Sequence, residues 1–289
     1  MTSHTLCNKV KLTVLRAAHM GMCFGVRDAI ALANGVVKQR PLTVLGELVH
    51  NAQVLGDLQD RGVCFEDSPQ AVATQTVMIT AHGASNRARA RLRGEGLQIQ
   101  DATCPLVHYA HRQVRQLVSA GYHPVIIGRH GHVEVRGLTE DLAECDVVLS
   151  EEDIDNLEPH SRFGVVAQTT QPIVRVRDLV EYLQARFPDS GVRFVDTVCQ
   201  PTKQRQHAAE QLARKSDVIL VIGGKNSNNT RELVGTCRQF CERVHHIQGS
   251  EDVRVAWIND TDTLGITAGT STPDALIDAV ESRVNAFFP

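Results

Sequence analysis

No stretch of this 289-residue sequence approaches the ~20 consecutive apolar residues of a membrane-spanning helix. The first fifteen residues, with His4, Asn8, Lys9 and Lys11, lack the apolar core of a secretory signal, so the expected location is cytoplasmic. An excess of charge is missing as well. The chain has 30 Lys and Arg against 33 Asp and Glu, a net of −3, which gives no global pull toward nucleic acid or acidic lipid. Neither nucleic acid nor a membrane is therefore expected as a partner. There is no CxxC pair, the closest spacing being Cys237-xxx-Cys241, and this excludes a zinc ribbon or a thioredoxin motif. A GxxxxGK[ST] loop, an NAD fingerprint, a flavin motif and long Pro/Gly/Ser linkers are also lacking.

What is there is 42% hydrophobic and 22% charged, a composition that can bury a substantial core. Short β-branched runs alternate with helical stretches: KLTVL before RDAIALANGVVKQR, LTVLGEL before AQVLGDLQD, TVMIT before SNRARARLR. HPVIIG, FGVVAQ, DVILVIGG and DTLGITAG continue the strands, with amphipathic PIVRVRDLVEYLQARF and TPDALIDAVESRV among them. The pattern predicts an α/β fold with mainly parallel sheets.

The eight cysteines are too sparse for a disulfide framework in a chain of this length. Cys23, Cys104 and Cys199 share a setting, since each follows a strand pattern (KLTVLRA, LQIQDAT, VRFVDTV) and precedes a helical one. Their separations of 81 and 95 residues are each about one small α/β domain. Three comparable domains around a common centre are expected, at residues 12–103, 104–198 and 199–289, with the first strand able to join the third domain. Cys7, Cys64, Cys145, Cys237 and Cys241 read as core residues, the last two on one face of a helix.

Further polar residues collect where strands end. TVMIT runs into His82, HPVIIG into RHGHVEVRG with His132 and Glu134, and FGVVA into QTT with Thr169. DVILVIGG opens into KNSNNT, with Ser227, Asn228 and Asn229 ahead of a helix, and GITAG opens into TSTPD with Ser271. In open α/β sheets ligands gather at carboxyl strand ends, where helix N-termini offer free N–H groups to anions. KNSNNT holds more polar groups than one helix cap needs and fits a phosphate or diphosphate, to which His50, His82 and His132 would add donors. RHGHVE also admits a zinc reading, with His130, His132 and Glu134 alternating along an extended backbone.

GMCFGVRDAI, GELVHN, TAHG, DATCP, HVEVRG, VAQTTQ, VCQPTKQRQ, GGKNSNNTREL and TAGTSTPD stand in one order along the chain. From about residue 12 onward the sequence resembles the hydroxymethylbutenyl diphosphate reductase family, which acts last in the non-mevalonate isoprenoid pathway. The resemblance implies an oxygen-sensitive 4Fe–4S cluster held by Cys23, Cys104 and Cys199 at the centre of three α/β domains in pseudo-threefold arrangement. It implies one iron open to the hydroxyl of an allylic diphosphate, which two electrons and protons convert to isopentenyl and dimethylallyl diphosphates. It makes Glu134 the proton relay and Thr169 its partner or that of the substrate hydroxyl. His50, His82, His132, Ser227, Asn228, Asn229 and Ser271 would hold the diphosphate. With neither an NAD fingerprint nor a flavin motif, the chain is expected to draw electrons from a separate protein such as ferredoxin or flavodoxin.

The sequence departs from the family pattern in places. Gln200 and Pro201 stand before Thr202 where a small residue and Ala are common, Val133 replaces a usual proline, and Met22 replaces Phe. Two other readings remain open: a cluster-containing paralogue acting on another anionic substrate, and a non-catalytic iron–sulfur sensor. A sensor has no use for a proton relay or a diphosphate cradle.

Overall fold

The computed structural model describes residues 11–288. The chain begins with β1 (Thr13–Arg16) and α1 (Phe24–Val37), then β2 (Leu42–Leu45), α2 (Ala52–Gln59), β3 (Val63–Glu66), β4 (Thr76–Ile79), α3 (Asn86–Gly94) and β5 (Gln98–Asp101). It continues with α4 (Pro105–Ser119), β6 (His123–Ile127), α5 (Val133–Thr139), β7 (Asp146–Val148), α6 (Glu151–Asp155), β8 (Arg162–Ala167), α7 (Ile173–Arg186) and β9 (Gly191–Phe194). The last stretch holds α8 (Gln200–Ala213), β10 (Val218–Ile222), α9 (Asn228–Arg238), β11 (Arg243–Ile247), β12 (Thr263–Ala268) and α10 (Asp274–Phe287).

The strands form three four-stranded sheets, ordered β3-β2-β4-β5, β7-β6-β8-β9 and β11-β10-β12-β1, and every pairing is parallel. All three share one order: second strand, first, third, fourth. In the third sheet the fourth place is filled by β1, from the other end of the chain. Residues 23–203 make one compact unit with the first two sheets; residues 11–22 and 204–288 make another with the third.

Why these segments are strands follows from their surroundings. β4 and β10 are buried along their whole length, as parallel strands covered on both faces must be; β10 reads as an unbroken apolar run and β4 as one after Thr76. The edge strands β1, β5 and β9 instead vary between exposed and half-buried positions. In the second sheet, Val125, Ile127, Phe163 and Val165 face Val176, Leu179 and Leu183 of α7, while Ile126 and Val166 face Ala110, Val114 and Leu117 of α4. In the third, Ile219 and Val221 pack on Ala209 and Ala213 of α8, and Leu220 and Ile266 on Ile277 and Val280 of α10. Each such buried aliphatic side chain contributes roughly 1.5–3 kcal/mol by leaving water.

The structure corrects four details. RVHHI, not singled out as a strand, forms β11. Cys64 is exposed on the edge strand β3 and is no core residue, whereas Cys237 and Cys241 are buried. Cys241 lies past the end of α9, its N–H still donating to the Cys237 carbonyl at 2.9 Å. Glu134 stands in the first turn of α5 rather than on extended backbone. Cys7 lies outside the described residues.

Candidate active site

The three thiols fall at one topological position. Cys104 follows β5, Cys199 follows β9, and Cys23 follows β1: in each sheet the fourth strand. The helix after each thiol then serves a different sheet, since α1 packs on β2, α4 on β6 and β8, and α8 on β10 through Ala209 and Ala213. Each cysteine therefore sits where the chain leaves one sheet for the next. Cys23 and Cys104 are the N-cap residues of α1 and α4, and neither side chain caps its own helix. The Cys199 carbonyl accepts from the Thr202 and Lys203 amides at 3.0 and 3.1 Å, opening α8. Pro201, in that first turn, sits where a missing N–H leaves no helical bond unmade.

All three thiols are half-buried and free of disulfides. Burial pushes the Cys104 thiol up against the opposing pull of the Leu106 and Val107 amides, and it pushes Cys199 up to about 11. Cys23 and Glu134 lie close enough to raise both further. The Cys199 sulfur is 3.0 Å from the Thr202 hydroxyl. Left to themselves Cys104 and Cys199 stay protonated; a soft metal centre that displaces thiol protons turns such groups into ligands. Gly25 shows how closely the pieces approach: a Cβ there would meet the Cys104 sulfur at 2.7 Å. Gly25→Ala is expected to lower bound iron several-fold after anaerobic reconstitution, with far-UV circular dichroism unchanged. Iron content equal to wild type would show that Cys104 has room to move.

Glu134 is 1% exposed. Its Oε1 accepts from the Thr169 amide at 2.6 Å and its Oε2 from the Thr169 hydroxyl at 3.0 Å, which joins the start of α5 to the end of β8. Burial raises its pKa to about 7, and the two bonds from Thr169 work against that rise. A carboxyl group poised there can hold or release a proton near neutrality. The zinc reading does not survive this geometry. His130 is exposed while the Glu134 carboxyl is turned inward to Thr169, and among the described residues no three His, Cys, Asp or Glu side chains are grouped to hold a single metal ion.

His132 caps α5, its Nδ1 accepting from the Glu134 amide at 3.1 Å. Val133 takes the first helical position, where the proline usual in the family would be equally at home. The His132 ring lies 5.8 Å from His50 and 5.7 Å from His82, and those two stack at 4.6 Å. Gly83, at φ +80°, turns the chain after His82. Glu47 holds His50 through a 2.6 Å contact to Nδ1. Burial, then the neighbouring imidazoles, lowers His82 well below the ordinary range, and burial with His50 and Arg129 lowers His132 to about 4. His82 and His132 are thus kept neutral, and an anion beside them would draw protons in.

The other unit has a polar cluster of its own. Ser227 caps α9 by accepting from the Thr230 amide at 3.3 Å, and Asn229 Oδ1 accepts from the Thr270 amide at 3.0 Å, tying α9 to the end of β12. Ser271 is buried in the same loop and Asn228 occupies the first position of α9. These residues and the three histidines hold matching places: His50, His132 and Ser227 follow the first strands of their sheets, and His82, Thr169 and Ser271 follow the third. Sequence reasoning missed Gly25, Glu47 and Thr202. For Thr202 the spacing from Cys199 was a usable signal; for Gly25 nothing short of the packing was.

Three like parallel sheets, with thiols after the fourth strands and imidazoles and a buried carboxyl after the first and third, define an α/β protein with a redox-capable site. The chain belongs to the LytB protein family, whose model matches residues 14–285. It is 36% identical over 277 residues to a 4-hydroxy-3-methylbut-2-enyl diphosphate reductase of Aquifex aeolicus, covering 94% of this chain and 95% of that one. A Geobacter protein of the same name is 37% identical over 279 residues, covering 95% and 98%. Among solved structures, an (E)-4-hydroxy-3-methyl-but-2-enyl diphosphate reductase, the terminal enzyme of the non-mevalonate pathway, aligns with TM-score 0.68 at 35% identity over 95% of this chain and 99% of that one. The corresponding reductase from Plasmodium falciparum aligns with TM-score 0.88 at 26% identity over 96% and 88%.

Proposed function

We propose that this chain is a 4-hydroxy-3-methylbut-2-enyl diphosphate reductase that removes the allylic hydroxyl of its substrate to yield isopentenyl and dimethylallyl diphosphates. The balance is two electrons and two protons taken up, one C–O bond broken and one water released. A 4Fe–4S cluster is the cofactor for which the family is known, and Cys23, Cys104 and Cys199 fit it. They are free, lie close enough together to perturb one another, and have a glycine where a side chain would crowd the Cys104 sulfur. When bound, the cluster supplies the electrons and, through an iron with no protein ligand, a Lewis-acid site for the substrate hydroxyl.

This chain's own residues do the rest. Glu134 delivers the proton, and Thr169 keeps both carboxyl oxygens oriented. His50, His82 and His132 receive the diphosphate, and Ser227, Asn228, Asn229 and Ser271 offer the amide and hydroxyl donors that such an anion requires. The chain divides into domains at residues 12–103, 104–198 and 199–289, the first strand able to join the third, a reading that the common strand order of the three sheets supports. Electrons come from a separate redox protein such as ferredoxin or flavodoxin, in the cytoplasm. Among the described residues no helix is long and apolar enough to cross a membrane.

The observation that carries the reading is a buried carboxyl with a pKa of about 7, clamped by one threonine and close to the Cys104 and Cys199 thiols. Anaerobically purified protein is expected to show the broad absorption of a 4Fe–4S centre and to convert the diphosphate substrate when given a chemical reductant. Colourless protein with stoichiometric zinc, or a cluster-loaded protein without turnover, would sink it.

A further inference from the structure

One part of the described surface has no task in that reaction. Residues 86–120 carry six arginines against two carboxylates, in a chain whose net formal charge is −3. In α3, Arg87 and Arg91, and likewise Arg89 and Arg93, stand four residues apart. Like charges at that spacing destabilise a helix by a few tenths of a kcal/mol, so folding does not explain them.

The charges meet across two helices. A groove of about 280 Å³ is lined by Asn86, Arg89 and Arg93 of α3 and by His108, His111 and Arg115 of α4. Arg115 also borders a shallower depression of about 410 Å³ with Arg112, so the basic face runs on around α4. Arg89 is occupied, with Asp101 at 2.5 Å and the Thr103 hydroxyl at 3.1 Å. Arg91, Arg93, Arg112 and Arg115 are exposed and have no carboxylate partner among the described residues. The buried His111 beneath them senses the field: burial, then Arg115, His108 and Arg89, lowers its pKa to about 4.

We infer that the face formed by α3 and α4 is the docking surface for an acidic one-electron redox protein that supplies the reductase. The inference rests on the reductase reading above. Charge complementarity selects the partner, and position supports it. Cys104 is the N-cap of α4, His108 lies one turn further on, and Arg115 lies eleven residues from the thiol, roughly 16 Å along the helix axis. Val118, 40% exposed, adds an apolar contact beside the arginines. Two encounters, each oxidising one donor by one electron, meet the demand of one turnover. Steering by a basic face raises the encounter rate and makes it dependent on salt.

Cluster-loaded protein is compared with its Arg93→Glu/Arg112→Glu/Arg115→Glu variant, with a reduced acidic bacterial ferredoxin as the probe. At low ionic strength the KM for ferredoxin should rise by at least about tenfold in the variant. The KM for the diphosphate substrate and the rate with reduced methyl viologen should stay unchanged. Calorimetric titration of ferredoxin into each protein should show the same weakening in Kd, and wild type alone should lose affinity steeply as salt is added. Unchanged KM and Kd would overturn the inference. So would equal affinity for transfer RNA together with an unchanged ferredoxin KM, which would mark a general polyanion surface. If the triple variant loses its cluster, Arg112→Ser with Arg115→Ser carries the same prediction with a several-fold effect. A wild type that fails to reduce the diphosphate even with methyl viologen would defeat the reductase reading, and the calorimetry would still decide the docking surface.

Discussion

Glu134→Gln is expected to cut turnover of the diphosphate substrate by a factor on the order of 10²–10⁴, the range of a positioned general acid, while the cluster spectrum persists. The amide has the size of the carboxyl and can keep both bonds to Thr169, accepting from its N–H and donating to its hydroxyl, so geometry is preserved and the transferable proton is lost. Wild-type turnover should fall as pH rises through about 7, because the acid form is the competent one. Stability has its own signature. The folded-state pKa is raised above that of the unfolded chain, so stability present below pH 4.5 is lost as pH rises through about 7. The glutamine variant does not have this loss, and its Tm should exceed that of wild type at pH 8 and match it near pH 4. Undiminished turnover in the variant would take Glu134 out of the reaction.

Cys104→Ser is expected to leave the protein almost without cluster. A serine hydroxyl stays protonated where a thiol gives up its proton to iron, and two remaining thiolates make a poor hold for a four-iron centre. Stability of the fold should change little, since the Cys104 side chain makes no cap bond and its carbonyl, which opens α4, is untouched. Iron and sulfide analysis with the visible spectrum measures the outcome. A full complement of cluster in this variant would mean that the thiol at the second junction is not a ligand.

Much of this was legible beforehand because of how parallel sheets bury their strands. Doubly covered strands such as β4 and β10 must be apolar on both faces, and such runs stand out. β11 escaped because His245 and His246 interrupt its apolar character. α5 escaped because seven residues with Val133, Val135 and Gly137 carry too little helical periodicity to register; its capping by His132 and the burial of Glu134 settle it instead. The three thiols could be picked from eight by their place after strands. Gly25 could not, since its role is a distance to a sulfur some eighty residues away. Nor does sequence say that His50, His82 and His132 touch, because that depends on where two different sheets direct their strand ends.

The placement of β1 has a consequence for how the protein is made. Thr13 pairs with Thr263, 250 positions further along, so β1 leaves the ribosome well before its partner β12. At ~5–20 residues per second, it waits on the order of ten seconds to a minute, with its hydrogen-bonding edge open. The first two sheets need no such delay, being built from segments close in sequence. Cys23, seven residues past that waiting strand, opens the unit 23–203, where α1 packs on β2 and Gly25 lies against the Cys104 sulfur, so its surroundings are complete before β12 is made. The three cysteines thus all belong to the part of the fold that is finished first, and only the third sheet waits for the end of synthesis.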